Sequence, residues 1–132
     1  MRKQSRAIAA VWFVACTSGQ EPDPRLLDLA TAAEHAFAAA NKEDSAALRR
    51  FTDSDAYESI WRIKKHQPDL VESAADGVEL IAERSFVGSD TAYVIIDVGR
   101  IRLPDRMEVL FLRSAEGWRI HHIGLSEVRR LD

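Results

Sequence analysis

The sequence predicts an α+β fold in which helices come first and an antiparallel sheet follows. Apolar residues recur at a helical spacing as far as about Gly77, and from Val78 onward they alternate with polar residues at a period of two. Short turns such as Gly88-Ser89-Asp90 join the alternating segments. Helices followed by hairpin-linked strands indicate an α+β fold with an antiparallel meander.

The first predicted helix runs from about Arg25 to Ala40. Asp23 is a suitable N-cap residue, and Pro24 suits the first helical position. The apolar positions share one face: Leu26, Leu29, Ala30, Ala33, Phe37 and Ala40. Because so many of these residues are alanines, we expect the helix to pack closely on a flat surface such as a sheet.

Two further helices are predicted before the sheet. Asp44 opens a short second helix, and Asp55 with Glu58 forms a variant of a capping box for a third. Pro68 either ends the third helix or begins a last turn, and Gly77 closes the helical half as a C-terminal cap.

Four strands are predicted after Gly77. Their ranges are about 78–86, 92–98, 107–113 and 118–125. Leu103-Pro104-Asp105 connects the second strand to the third, and Ala115-Glu116-Gly117 turns the third into the fourth. The segment therefore predicts a four-stranded antiparallel meander.

The N-terminal segment predicts export. Residues 1–6 are short and positively charged, residues 7–15 are uninterrupted and apolar, and polar residues follow Cys16. This order is typical of a secretory signal. The apolar run is shorter than the ~20 residues that a membrane-spanning helix needs, which disfavours a transmembrane anchor.

Phe13-Val14-Ala15-Cys16 resembles the lipobox of bacterial lipoproteins. The resemblance implies a signal peptide at 1–15, lipidation of Cys16, and a protein held by lipid on the cell envelope, in the periplasm or at the outer surface. Two or more acyl chains bind a membrane stably. Residues 16–24 are polar and contain prolines, so they are interpreted as a linker before a domain at 25–132. Ordinary cleaved secretion is one alternative, and an uncleaved anchor or a cytosolic protein is another.

Residues 25–126 resemble the NTF2-like (cystatin-like) superfamily. The features that carry the resemblance are the alanine-rich first helix, the short helix after Asp44, and the closing hairpin that ends in Gly117-Trp118-Arg119-Ile120. The resemblance implies N-terminal helices packed on a curved four-stranded antiparallel sheet. It also implies a cone-shaped pocket between the two layers, and domains of this superfamily often pair through the sheet.

Charge and cysteine content exclude several classes of function. The net charge is −3, and the first fifteen residues are basic without an acid, so the predicted domain is more acidic still. Such a domain lacks the basic surface that nucleic-acid binding needs. With one cysteine the chain forms no internal disulfide and no multi-cysteine metal site. We expect no cofactor, because phosphate-loop and metalloprotease motifs are absent from the sequence.

The resemblance implies candidate catalytic residues, because enzymes of the superfamily use carboxylates, histidines and tyrosines that line the cone. The candidates are Asp97 and His122, with His121 as the alternative histidine and Tyr57 or Tyr93 as a further member of the set. His121 and His122 are adjacent on a strand and should face opposite sides of the sheet. His122 continues the stripe of Trp118 and Ile120, so we expect it to face the helices.

Candidate ligand-binding residues are Tyr57, Trp61, Trp118 and His122. Each of these residues also has a structural interpretation, as a core aromatic or a strand surface residue. The predicted function is an envelope lipoprotein domain that binds a small apolar ligand or a protein partner, and a homodimer is compatible with the sequence. The alternatives are an isomerase, dehydratase or hydrolase with an Asp/His pair in the cone, and a purely structural interaction module.

Overall fold

The structure, a computed structural model, describes residues 21–98 and 106–126. In these ranges the helices are α1 (Pro24–Asn41), α2 (Ser45–Arg49), α3 (Ser54–His66) and α4 (Pro68–Asp76). The strands are β1 (Glu79–Leu80), β2 (Phe86–Val87), β3 (Thr91–Asp97), β4 (Arg106–Ser114) and β5 (Gly117–Ser126). The α+β class and the order of helices before strands are confirmed. No helix in the described ranges is both long enough and apolar enough to cross a bilayer.

The sheet is curved, open and antiparallel. β3 pairs with β4 and β4 pairs with β5, while β1 and β2 both pair with β3 at the opposite edge. Among the described residues the sheet therefore has five strands and not the predicted four.

The predicted strand at 78–86 is broken into two short strands around a 3-10 helix, Ala82–Arg84. The Ser85 hydroxyl explains the break. It donates to the Ile81 carbonyl at 2.9 Å and accepts from the Ile95 N–H at 2.9 Å. A side chain thus takes the place that a backbone group has in a regular ladder.

Aspartate side chains begin three of the helices. Asp23 accepts from the Arg25 N–H and Asp44 accepts from the Ala47 N–H, as the sequence suggests. The capping box predicted at Asp55 is wrong, because α3 begins two residues earlier with Asp53 as its N-cap. Asp53 has an extended backbone that brings its carboxylate to the Ala56 N–H at 3.0 Å.

The remaining helix boundaries depend on proline and glycine. Pro68 begins a separate helix, α4. Gly77 follows α4 with a φ of +152°, a conformation that favours glycine, so the predicted C-terminal cap is confirmed.

The core lies between the helices and one face of the sheet, the inner face. Inner-face strand residues are buried: Ala92, Val94, Ile96, Met107, Val109, Phe111, Ile120 and Ile123. Phe37, Leu48 and Ile60 fill the helical side. The alanine-rich helix α1 packs most extensively on α4 and less on β1, β2 and β3, whereas α3 covers β5. The small residues therefore serve mainly a close helix–helix contact.

The free edge of β5 is partly covered by the loop between α2 and α3. The Ile120 N–H donates to the Phe51 carbonyl at 2.8 Å, and the Asp53 N–H donates to the Ile120 carbonyl at 2.9 Å. Thr52 thereby forms a parallel bridge with Ile120. This bridge brings the start of α3 next to the two histidines of β5.

Candidate functional sites

A β-bulge in β5 decides where the two adjacent histidines lie. Phe111 of β4 stands opposite Ile120, and Leu110 stands opposite His122, so His121 is the extra residue on the bulged strand. His122 consequently shares the outer face with Leu110. The expectation that His122 faces the helices is wrong, because the bulge shifts the alternation by one residue. Ile120 and Ile123 are three residues apart and both buried on the inner face, which a regular strand does not allow.

His121 forms a close pair with Asp53 at the start of α3. Its Nδ1 lies 2.5 Å from one carboxylate oxygen of Asp53, and about a third of each side chain is exposed (36% and 35%). The hydrogen bond that the His121 ring donates to the Asp53 carboxylate raises the pKa of His121, and the negative charges of Asp53 and Asp55 add to the effect, against the opposing effect of partial burial. His121 therefore links β5 to the start of α3. Sequence reasoning did not identify Asp53, because 68 residues separate the two side chains along the chain.

Asp97 and His122 are on the same outer face but are not brought together. Asp97 of β3 stands opposite Arg106 of β4, and His122 of β5 stands opposite Leu110 of β4. Arg106 and Leu110 are four residues apart along β4, which lies between the other two strands. At about 3.3 Å per residue and about 4.8 Å per strand, the offset is on the order of 16 Å. Side chains at that distance form no hydrogen-bonded pair.

Tyr57 and Trp61 lie next to each other on the surface of the helical layer. Their rings meet edge to face with centroids 6.1 Å apart, and the Arg49 guanidinium lies 4.0 Å above the Tyr57 ring. Hydrogen bonding with Ser45 and Trp61 lowers the pKa of Tyr57, and the charge of Arg49 contributes as well. The structure therefore brings two of the candidate ligand-binding residues into one aromatic cluster.

Trp118 and His122, the other two candidates, are on opposite faces of the sheet. Trp118 stands opposite Arg113, next to the inner-face pair of Phe111 and Ile120, and packs partly buried against the core. The Arg113 guanidinium lies 5.8 Å from the centre of its ring. The four candidates therefore do not form one binding site.

The outer face of the sheet carries a continuous row of side chains that sequence reasoning did not single out. Phe86, Tyr93, Leu110 and His122 are successive cross-strand partners from β2 to β5. Leu112 lies one position further along the same face of β4. We call these five residues the outer-face patch. Phe86 is 62% exposed, and Tyr93 and Leu112 are each 38% exposed. Single exposed apolar residues are ordinary, but adjacent ones are typical of an interaction surface.

A polar corner borders the outer-face patch. The Tyr93 hydroxyl donates to Oε1 of Glu108 at 2.5 Å, and this bond raises the pKa of Tyr93 because the neutral phenol is the donor. Gly124 stands opposite Glu108 on β5. A Cβ placed on Gly124 would lie 3.7 Å from Oε1 of Glu108 and 3.9 Å from Nε2 of His122. The missing side chain thus leaves a small gap, about the size of a methyl group, between a carboxylate and an imidazole. A glycine inside a predicted strand was the sequence signal for such a close approach.

No family model matches the chain, and no curated protein or solved structure gives a significant match. Over residues 21–98 and 106–126, no three histidine, cysteine, aspartate or glutamate side chains are placed to hold a metal ion together. The inference of function therefore depends on the geometry of the outer-face patch, the polar corner and the Asp53–His121 pair.

Proposed function

We propose that this protein is an exported lipoprotein whose NTF2-like domain binds a protein partner through the outer face of its sheet. The observation that carries the proposal is the outer-face patch, in which exposed Phe86, Tyr93 and Leu112 adjoin half-buried Leu110, and exposed His122 continues the row on β5. Burying an apolar side chain contributes roughly 1.5–3 kcal/mol when it is fully exposed beforehand. Phe86 and its neighbours therefore favour association with another surface.

The packing of the inner face supports a protein partner over a small apolar ligand. Large side chains from both layers are fully buried where the resemblance implies a cone: Phe37, Leu48, Ile60, Met107, Phe111 and Ile120. The protein's own side chains thus occupy much of the interior, whereas the apolar residues of the outer-face patch are open to a partner.

Anchoring by lipid is part of the proposal. Cys16 lies outside the described residues, and its support is the charged start, the apolar run and the lipobox-like sequence. Labelled palmitate should enter the wild type, and Cys16→Ser should move the protein to the soluble fraction. Membrane association that persists in unlabelled Cys16→Ser would argue against lipidation.

Site-specific photo-cross-linking in cells tests the binding surface. A photoreactive amino acid at Leu112 should give a discrete protein adduct, and the same amino acid at the exposed Glu72 of α4 should not. Phe86→Ser should reduce the Leu112 adduct, since it removes the most exposed aromatic side chain of the patch. Equal adducts at both positions, or none at Leu112, would refute partner binding at this face. An adduct of twice the chain mass would identify a homodimer.

A second candidate function, catalysis of the isomerase, dehydratase or hydrolase type, is favoured by the Asp53–His121 contact. A carboxylate that orients an imidazole is the arrangement by which many enzymes hold a general base. Hydrolysis of p-nitrophenyl acetate tests it, with His122→Gln as the matched control for ordinary surface imidazole reactivity. A loss of rate confined to His121→Gln would support catalysis, and equal losses in the two variants would exclude a special role for His121.

A further inference from the structure

We infer that the protein partner inserts a basic side chain, lysine or arginine, over Gly124 between Glu108 and His122. The inference depends on the proposed function, because it specifies the chemistry of the partner that covers the outer-face patch. It adds a charged anchor beside the apolar side chains of the outer-face patch.

The negative charge of Glu108 favours a basic side chain on the partner. In the described residues Glu108 has no ion pair within 4.0 Å, and its hydrogen bond comes from the neutral Tyr93 hydroxyl. A partner that covers the patch removes water from this carboxylate. Removing water from a charged group is costly unless an opposite charge or further donors replace it. A lysine or arginine on the partner supplies both.

The shape of the polar corner around Gly124 also favours a basic side chain. Glu108 and His122 both approach the point where a side chain of Gly124 would begin, at 3.7 Å and 3.9 Å. Because Gly124 has no side chain, a partner side chain that lies over its backbone comes near both groups. The neighbouring ring of Tyr93 belongs to the same row, and aromatic rings attract lysine and arginine cations.

An acidic or a neutral side chain on the partner would complement the polar corner less well than a basic one. An acidic group on the partner would meet the Glu108 carboxylate in a desolvated site, where like charges repel. A neutral group could donate hydrogen bonds to the carboxylate but would not supply the opposite charge. Of the three classes of side chain, only the basic one complements the corner.

NMR titration of the isotope-labelled full chain tests the inference, with Cys16→Ser to prevent lipidation. The probes are three capped tripeptides, acetyl-Leu-Arg-Leu-amide and its Gln and Glu counterparts. The arginine peptide should shift the amide signals of Gly124 and His122 and bind about tenfold tighter than the glutamine peptide, which corresponds to ~1.4 kcal/mol. The glutamate peptide should bind more weakly than either. Equal affinities for the three peptides would overturn the inference.

Two variants and one control separate binding from folding. Glu108→Gln should reduce the affinity for the arginine peptide to that for the glutamine peptide. Gly124→Leu should abolish binding by filling the gap, while a thermal melt that stays cooperative shows that the fold persists. Glu72→Gln, at an exposed position of α4, should leave binding unchanged. Full affinity for the arginine peptide in Glu108→Gln would overturn the inference.

The cross-link at Leu112 distinguishes this inference from the function on which it depends. If the adduct persists in Glu108→Gln and Gly124→Leu but is lost in Phe86→Ser, the result supports partner binding and refutes the basic anchor. An adduct lost in all three variants would support both. The absence of any adduct in the wild type would refute the proposed function itself.

Discussion

Substitution of Asp53 tests two contacts that a single carboxylate makes. One oxygen accepts a hydrogen bond from the Ala56 N–H at the start of α3, and the other pairs with Nδ1 of His121. Asp53→Asn retains an acceptor for the helix start but removes the charge that His121 needs. Asp53→Ala removes both contacts. Comparison of the two variants therefore separates the cap from the ion pair.

The expected magnitudes follow from the exposure of the pair. Loss of an N-cap side chain lowers the free energy of unfolding by about 1 kcal/mol. An ion pair whose members are about one-third exposed contributes roughly 0.2–1 kcal/mol. Asp53→Ala should therefore cost about 1–2 kcal/mol near pH 6, and Asp53→Asn about 0.2–1 kcal/mol.

The stabilisation from the Asp53–His121 pair should decrease as the pH rises. The pKa of His121 is raised in the folded protein above its ordinary value of about 6.5. The stabilisation is therefore fully present below pH ~6.5 and is lost as the pH rises through the folded-state pKa. The cost of Asp53→Asn should vanish by pH 9, whereas Asp53→Ala should still cost about 1 kcal/mol through the lost cap.

Urea unfolding followed by tryptophan fluorescence at pH 6 and pH 9 measures these differences. Asp44→Asn is the matched control, since Asp44 caps α2 through the Ala47 N–H and contacts no histidine among the described residues. Its effect should be the same at both pH values. If Asp53→Asn cost as much at pH 9 as at pH 6, the assignment of a stabilising His121–Asp53 ion pair would be wrong.

Three further predictions concern packing, backbone and titration. Phe111→Ala should lower the free energy of unfolding by about 3–5 kcal/mol because Phe111 is fully buried. Trp118→Ala should lower it by less because Trp118 is partly exposed. Equal costs of the two variants in urea unfolding would contradict this difference in burial. Gly117→Ala should cost roughly 1–2 kcal/mol in thermal unfolding, since Gly117 has a φ of +106° at the β4–β5 turn, and a neutral effect would exclude that conformation. In an alkaline absorbance titration Tyr57 should ionise before Tyr93, because the pKa of Tyr57 is lowered and that of Tyr93 is raised; the reverse order would contradict both hydrogen-bond assignments.

Elements that depend on contacts between near neighbours in the chain were predictable. Asp23 and Asp44 cap α1 and α2 through N–H groups two and three residues away, and Gly77 ends α4 through its own φ. Alternating apolar residues also located β3 and β4 correctly, because a two-residue period on one buried face leaves a single consistent register.

Elements that depend on distant contacts were not predictable from these patterns. The sequence pattern predicted that α3 begins at Asp55, whereas its N-cap is Asp53, in the 51–53 loop that is hydrogen-bonded to Ile120. The predicted first strand is broken by the contact between Ser85 and Ile95, which are brought together only when the sheet forms.

The sequence by itself determined the fold class, the limits of the longer elements and the chemical types of the candidate residues. The tertiary structure decided which of those residues meet. The bulge in β5 pairs His121 with Asp53 on one side of the sheet and leaves His122 beside Glu108 and Gly124 on the other. A bulge inserts one residue into the alternation, and so the face of every later side chain depends on pairing with β4 and not on position in the chain.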